Sequence, residues 1–74
     1  MATTLAEYLL NQRVERGMSQ NEMAKYLKLA PRTVTRIEKG YMTRFLTLKK
    51  IQIGLGTQTI KELIEMNKQQ RKGL

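Results

Sequence analysis

The side chains best suited to chemistry in this chain are basic ones, and the chemistry they offer is binding. Arg32 and Arg36 are four residues apart, so on a helix they share one face. Each guanidinium carries a planar fork of N–H donors that matches the O6 and N7 atoms of guanine, and a single arginine can contact phosphate instead. Such a pair could therefore bind guanine edges or phosphate.

The charge balance favours the same partner. The chain has 74 residues, with 14 Lys and Arg against 6 Asp and Glu, which gives a net charge of +8. An excess of this size in a small domain attracts polyanions, most often nucleic acid or an anionic membrane surface. Because the chain has no His and no Cys, metal sites built from those residues, thiol nucleophiles and histidine general bases are excluded. We expect neither a cofactor nor an enzymatic activity.

The elements that must position the arginines are helices. Three segments have the capping-box spacing, in which Ser or Thr is followed by Glu three residues later: Thr4 and Glu7, Ser19 and Glu22, Thr59 and Glu62. They predict helices over 5–16, from residue 20 onward, and over 60–70. Pro31 suits the first position of another helix, where its missing N–H is not needed. Thr47 is predicted to cap a helix that ends near Leu55.

The apolar residues are spaced for a helical core, and no strand pattern emerges. Phe45, the one phenylalanine, is expected to anchor its loop in that core. The polar and basic segment 67–74 is expected to be frayed, as most such tails are. The sequence therefore predicts an all-α protein, a compact five-helix domain over residues 1–74 with its core in about 5–66.

Residues 20–40 resemble the helix-turn-helix of the lambdoid phage repressor and Cro family of XRE-type regulators. The positions in register are Gln20, Ala24, Leu27, Leu29, Val34, Ile37, Glu38 and Gly40. One position departs from the family pattern, because Lys28 stands where the turn usually has Gly. A left-handed backbone at a non-glycine residue costs roughly 1 kcal/mol, so either the turn differs or Lys28 accepts the strain. The resemblance covers about residues 5–66 and implies a lambda-repressor-like DNA-binding domain.

The resemblance also implies roles for individual residues, with the helix over about 31–39 as the recognition helix in the major groove. The residues expected to contact bases are Pro31, Arg32, Thr33, Thr35 and Arg36. Those expected to contact phosphate are Gln20, Asn21, Lys28, Lys39, Thr43 and Arg44. Arg13 is expected to form a structural ion pair with Glu38 rather than to bind DNA.

The resemblance implies a sequence-specific regulator of transcription that binds double-stranded DNA in the cytoplasm. The expected role is that of a repressor rather than an activator. A homodimer on a two-fold-related operator is the family habit. The fifth helix must cover the core, and the sequence leaves open whether it also forms the interface. One alternative is an antitoxin or antirepressor module whose main partner is another protein. Another is nucleic-acid binding without sequence readout. The sequence leaves open whether the chain is full length or a fragment of a longer repressor.

Overall fold

A computed structural model describes residues 3–73 of the chain. Within that range lie five α-helices: α1 Leu5–Glu15, α2 Gln20–Leu27, α3 Pro31–Glu38, α4 Phe45–Leu55 and α5 Ile60–Lys68. They pack into a body whose Cα extents are 25 × 22 × 22 Å. The predicted all-α, five-helix fold is therefore confirmed.

One apolar core receives side chains from every helix. Its fully buried members include Leu9 of α1, Met23 of α2, Val34 of α3, Ile51 of α4 and Leu63 of α5. Five half-buried side chains close its edges: Met18, Leu29, Ile60, Ile64 and Met66. The apolar residues of α5 are thus used to cover the domain's own core.

The helix starts follow the capping boxes. The hydroxyls of Thr4, Ser19 and Thr59 accept hydrogen bonds from the backbone N–H groups three residues on, and the three glutamates return the bond. At α2 the hydrogen bonds from Ser19 to the Glu22 carboxylate lower the pKa of Glu22. Helices α3 and α4 start with no side-chain cap, so their first N–H groups remain available to another partner.

Helix α4 corrects two expectations. Arg44, not Thr47, occupies the N-cap, and Thr47 lies in the first turn of the helix. Phe45 is 52 % exposed and does not anchor the loop in the core. The physical reason is that the helix begins three residues earlier than predicted, and its core-facing positions are filled by Leu48, Ile51 and Leu55.

Helices α2 and α4 approach closely at Gly54. A Cβ atom at this position would overlap the side chain of Leu27, which is itself buried. Because the Leu27 side chain lies in the packed interior, it cannot move far. Gly54 therefore sets how near the helix-turn-helix lies to α4.

The expectation of a frayed C-terminal segment is wrong for residues 67–73. Asn67 and Gln70 are buried, at 8 % and 7 % exposure, and their amides bond to distant parts of the chain. Lys72 pairs with Tyr41 in a short parallel bridge. Buried polar groups are retained when they are hydrogen-bonded, and these are. Leu74, the last residue of the predicted tail, lies outside the described residues.

Candidate nucleic-acid interface

The turn between α2 and α3 takes the left-handed route despite its lysine. Lys28 has φ 61° and ψ 42°. Its N–H donates to the carbonyl of Lys25 at 3.2 Å, and the next N–H, of Leu29, donates to Ala24 at 2.8 Å. This is the Schellman pattern that glycine usually completes. Of the two alternatives, Lys28 therefore accepts the strain of a left-handed backbone.

Arg13 and Glu38 tie α1 to the end of α3. The Nε of Arg13 donates to Oε2 of Glu38 at 2.9 Å, and its Nη2 donates to Oε1 at 3.0 Å. A third donor, Nη1, reaches the carbonyl of Met18 at 3.2 Å. The hydrogen bonds to Glu38 raise the pKa of the Arg13 guanidinium. A bidentate, half-buried pair of this kind fixes one orientation of the two helices.

Gln20 extends that pair into a network across the helix-turn-helix. Its Nε2 donates to Oε1 of Glu38 at 2.9 Å, and its Oε1 accepts from the hydroxyl of Thr35 at 2.9 Å. The Thr35 hydroxyl also lies 3.2 Å from the carbonyl of Pro31. Gln20 therefore braces α3 from the start of α2.

The first turn of α3 begins with exposed side chains. Pro31 and Arg32 are exposed and Thr33 is half-buried. Within residues 3–73, the Arg32 side chain forms no hydrogen bond, ion pair or aromatic contact. Its guanidinium is thus free to meet a ligand.

Arg36, one turn further along, is held differently. Its guanidinium carbon lies 4.1 Å from the centroid of the Tyr41 ring, and the Nζ of Lys72 lies 5.0 Å from the same centroid. Cations are attracted to the face of an aromatic ring. The structure therefore does not leave Arg36 free beside Arg32, although both lie on the exposed side of α3.

A groove separates α3 from the loop that follows it. Its polar lining consists of Thr33, Arg36, Thr43, Arg44 and Thr47. Two guanidinium groups and three hydroxyls suit an anion with several acceptor oxygens, such as a phosphate. The uncapped start of α4 opens beside them and adds N–H groups that favour negative charge.

The other predicted phosphate residues do not all converge on this groove. Asn21 is exposed on the first turn of α2, and Lys39 is exposed at the end of α3. Lys28 lies on the α4 side of the turn, where the Nζ of Lys50 donates to its carbonyl at 3.3 Å.

The sequence interpretation missed the residues that hold the loop. These residues contact parts of the chain that are distant in sequence. The contact of Asn67 spans 24 residues, and those of Gln70 and Lys72 span 29 or more. No local spacing signals such contacts, because an isolated Asn or Gln in a polar tail reads as solvated.

The geometry on α2 and α3 defines a class, that of helix-turn-helix proteins that bind DNA and regulate transcription. A family model described as helix-turn-helix matches residues 9–63. The chain belongs to this helix-turn-helix family, of the XRE and Cro type, as its resemblance predicted. Comparisons with curated proteins and with solved structures returned no match. Within residues 3–73, no helix combines the length and apolar character that crossing a membrane requires.

Proposed function

We propose that this protein is a repressor that binds as a dimer to a two-fold-related operator, with α3 in the major groove. The observation that carries the proposal is the contrast within one helix-turn-helix. The network of Arg13, Glu38, Gln20 and Thr35 fixes α3 against α1 and α2. It leaves Arg32 outward and unengaged within the described residues.

Arg32 is the residue we assign to base reading. The N-terminal residues of a recognition helix reach base edges, and an arginine there selects guanine through O6 and N7. Pro31 and Thr33 flank it and can contact a thymine methyl. Thr35 can offer its methyl or the lone pairs of its hydroxyl oxygen, because the hydroxyl hydrogen is donated to Gln20.

Backbone contacts dock the domain and give it register. We assign Arg36, Thr43 and Arg44 to phosphate because they line one groove beside the uncapped start of α4. Asn21 and Lys39 extend this surface at its edges. Gln20 remains a candidate through the free N–H groups of its helix start, since its side-chain amide is engaged with Glu38 and Thr35. Lys28 is the outlying candidate, beside α4.

The size of the domain is compatible with the proposed dimer. Helix-turn-helix half-sites are centred ~34 Å apart along one face of the duplex. Two bodies with a longest Cα extent of 25 Å, once side chains are added, lie side by side at about that spacing. Helix α5 is a candidate interface, although its Leu63 is buried and its Ile60, Ile64 and Met66 are half-buried in the same domain.

The test is selection from a library of random duplex DNA, followed by sedimentation of the protein on the recovered duplex. We expect a two-fold-related motif with G·C pairs in each half-site and a complex of two chains per duplex. Recovery of nothing above background would contradict sequence reading. A motif without symmetry, bound by one chain, would contradict the dimer alone.

A further inference from the structure

The C-terminal segment, residues 67–73, is built into the fold beside the proposed DNA surface. It lies beyond residue 63, where the match to the helix-turn-helix family ends. It nevertheless contains the two buried polar side chains of the described range, Asn67 and Gln70. Burying an amide without partners is unfavourable, so the contacts that these two make are specific ones.

Asn67 holds the loop after α3 by both of its amide atoms. Its Oδ1 accepts from the N–H of Thr43 at 2.9 Å, and its Nδ2 donates to the carbonyl of Thr43 at 3.0 Å. The side chain thus satisfies the backbone of Thr43 as a neighbouring strand would. Thr43 and the adjacent Arg44 line the groove assigned to phosphate.

Gln70 ties three parts of the chain together. Its Nε2 donates to the carbonyls of Ile37 and Tyr41, both at 2.9 Å. Its Oε1 accepts from the N–H of Ala6, in the first turn of α1, at 3.0 Å. One amide therefore fixes the last turn of the recognition helix relative to α1.

Lys72 completes the attachment through its backbone and brings a charge with it. Its N–H donates to Gly40 at 3.1 Å, and its carbonyl accepts from the N–H of Met42 at 2.8 Å. Its ammonium shares the Tyr41 ring with the guanidinium of Arg36. Neither cation takes part in a salt bridge within residues 3–73. Two like charges held at one ring favour a shared anion.

We infer that residues 67–73 are part of the DNA interface: Lys72 contacts backbone phosphate next to Arg36, and Asn67 and Gln70 are positioning residues for the loop. The inference rests on the proposed function, because the phosphate belongs to the duplex that α3 reads. It adds to the family's helix-turn-helix a contact from a segment outside it.

The first experiment separates a phosphate contact from a change in net charge. Lys72→Gln and Lys49→Gln remove the same charge, but Lys49 is exposed in the middle of α4, outside the lining of the groove. Binding to a labelled mixed-sequence duplex is measured by anisotropy over a range of KCl concentrations. We expect Lys72→Gln to weaken binding roughly fivefold and to lower the slope of log K against log salt by ~1. Lys49→Gln should change affinity less than about twofold and leave the slope unaltered.

If the two variants behave alike and the wild type binds the duplex, the contact at Lys72 is overturned and the proposed function stands. If the wild type does not bind the duplex, both fall. Lys72→Arg should restore the slope, because it keeps the charge at the same place.

The second experiment addresses positioning. Gln70→Met keeps the length of the side chain and removes its three hydrogen bonds. We expect the Met42 and Thr43 amides to exchange about tenfold faster with solvent. At a temperature where the variant is still folded, we expect its DNA affinity to be severalfold lower than that of the wild type. Faster exchange with unchanged affinity would overturn the positioning role. If Gln70→Met does not fold, Asn67→Ser is measured in the same way, since it removes only the contact to Thr43.

Discussion

The two ends of helix α3 are held in opposite ways. At the first turn, Pro31 and Arg32 are exposed, and the Arg32 side chain touches no polar partner in the described chain. At the last turn, Thr35 bonds to Gln20, Glu38 accepts three N–H bonds and Arg36 lies against Tyr41. Under the proposed function, base reading and placement of the helix therefore depend on different residues. Changes at the first turn should alter which sequence is bound, and changes at the last turn should alter whether any is.

The largest expected effect is at the last turn of α3, where Glu38 is bonded to Arg13. Arg13→Met leaves the half-buried Glu38 carboxylate with only the Gln20 amide as partner. We expect the free energy of unfolding to fall by about 2–3 kcal/mol, at or just below the range for breaking a buried pair, and DNA affinity to fall on all sequences. Urea unfolding and duplex binding of the same sample measure both. Arg16→Met, at an exposed arginine near Tyr26, is the control and should change stability by less than ~0.5 kcal/mol. Unchanged stability with lost binding would mean that Arg13 contacts DNA.

The next largest effect is expected at the first turn of α3 and concerns sequence specificity. Arg32→Ala should remove a preference of roughly 1–3 kcal/mol at one base pair of each half-site, with stability unchanged within ~0.5 kcal/mol. Arg36→Ala is its matched partner and should weaken binding to all sequences alike, because we assign Arg36 to phosphate. Repeating the random-duplex selection with both variants distinguishes the outcomes. A uniform loss for Arg32→Ala would move Arg32 to the phosphate class and remove the contrast between the two ends.

A smaller effect should follow at Thr35, where the two halves of the helix meet. Thr35→Val keeps the shape and removes the hydroxyl that donates to Gln20, so stability should fall by about 1 kcal/mol. Thr33→Val is the control, because within residues 3–73 the Thr33 hydroxyl has no hydrogen-bond partner. Thermal unfolding of the pair gives the measurement. Equal losses would show that the Gln20 contact contributes nothing of its own.

The smallest effect is expected at the turn between α2 and α3. Lys28→Gly relieves a left-handed lysine, but it also adds freedom to the unfolded chain, so we expect a gain of only about 0.5 kcal/mol. Gly40→Ala makes the reverse change at φ 99° and should lose ~1 kcal/mol or more. Both are read from urea midpoints. A loss of stability in Lys28→Gly would mean that the lysine side chain contributes to the turn beyond its backbone angles.

The helix starts could be predicted from the sequence because their causes are local. A capping box needs only two residues three apart, and all three predicted boxes are present with both hydrogen bonds. The register of residues 20–40 also carries enough apolar positions to indicate two helices and their crossing at Ala24. The left-handed backbone at Lys28 could be stated only as one of two alternatives, because its cost of about 1 kcal/mol is within what tertiary packing can offset.

The predictions for the start of α4 and for the C-terminal segment were wrong because both features depend on contacts between distant parts of the chain. Phe45 is apolar, but three other side chains of α4 already fill the core, and only the packed structure reveals that competition. The fate of Gln70 depends on carbonyls 29 and 33 residues away in sequence. In the site, the stacking of Arg36 on Tyr41 distinguishes Arg36 from Arg32, whereas a helical-face argument treats the two residues alike.

The hydrogen bond from Ala6 to Gln70 has a consequence for the connectivity of the domain. It places the beginning and the end of the folded region next to each other, with Thr4 and Arg71 lining the same depression. A short flexible linker can therefore join the two ends, and the ring can be opened at the exposed Gly56, between α4 and α5. Such a circular permutant would keep every helix contact while changing the order in which the helices are made. The recognition surface would then lie in the middle of one uninterrupted run from α5 through α1 to α4.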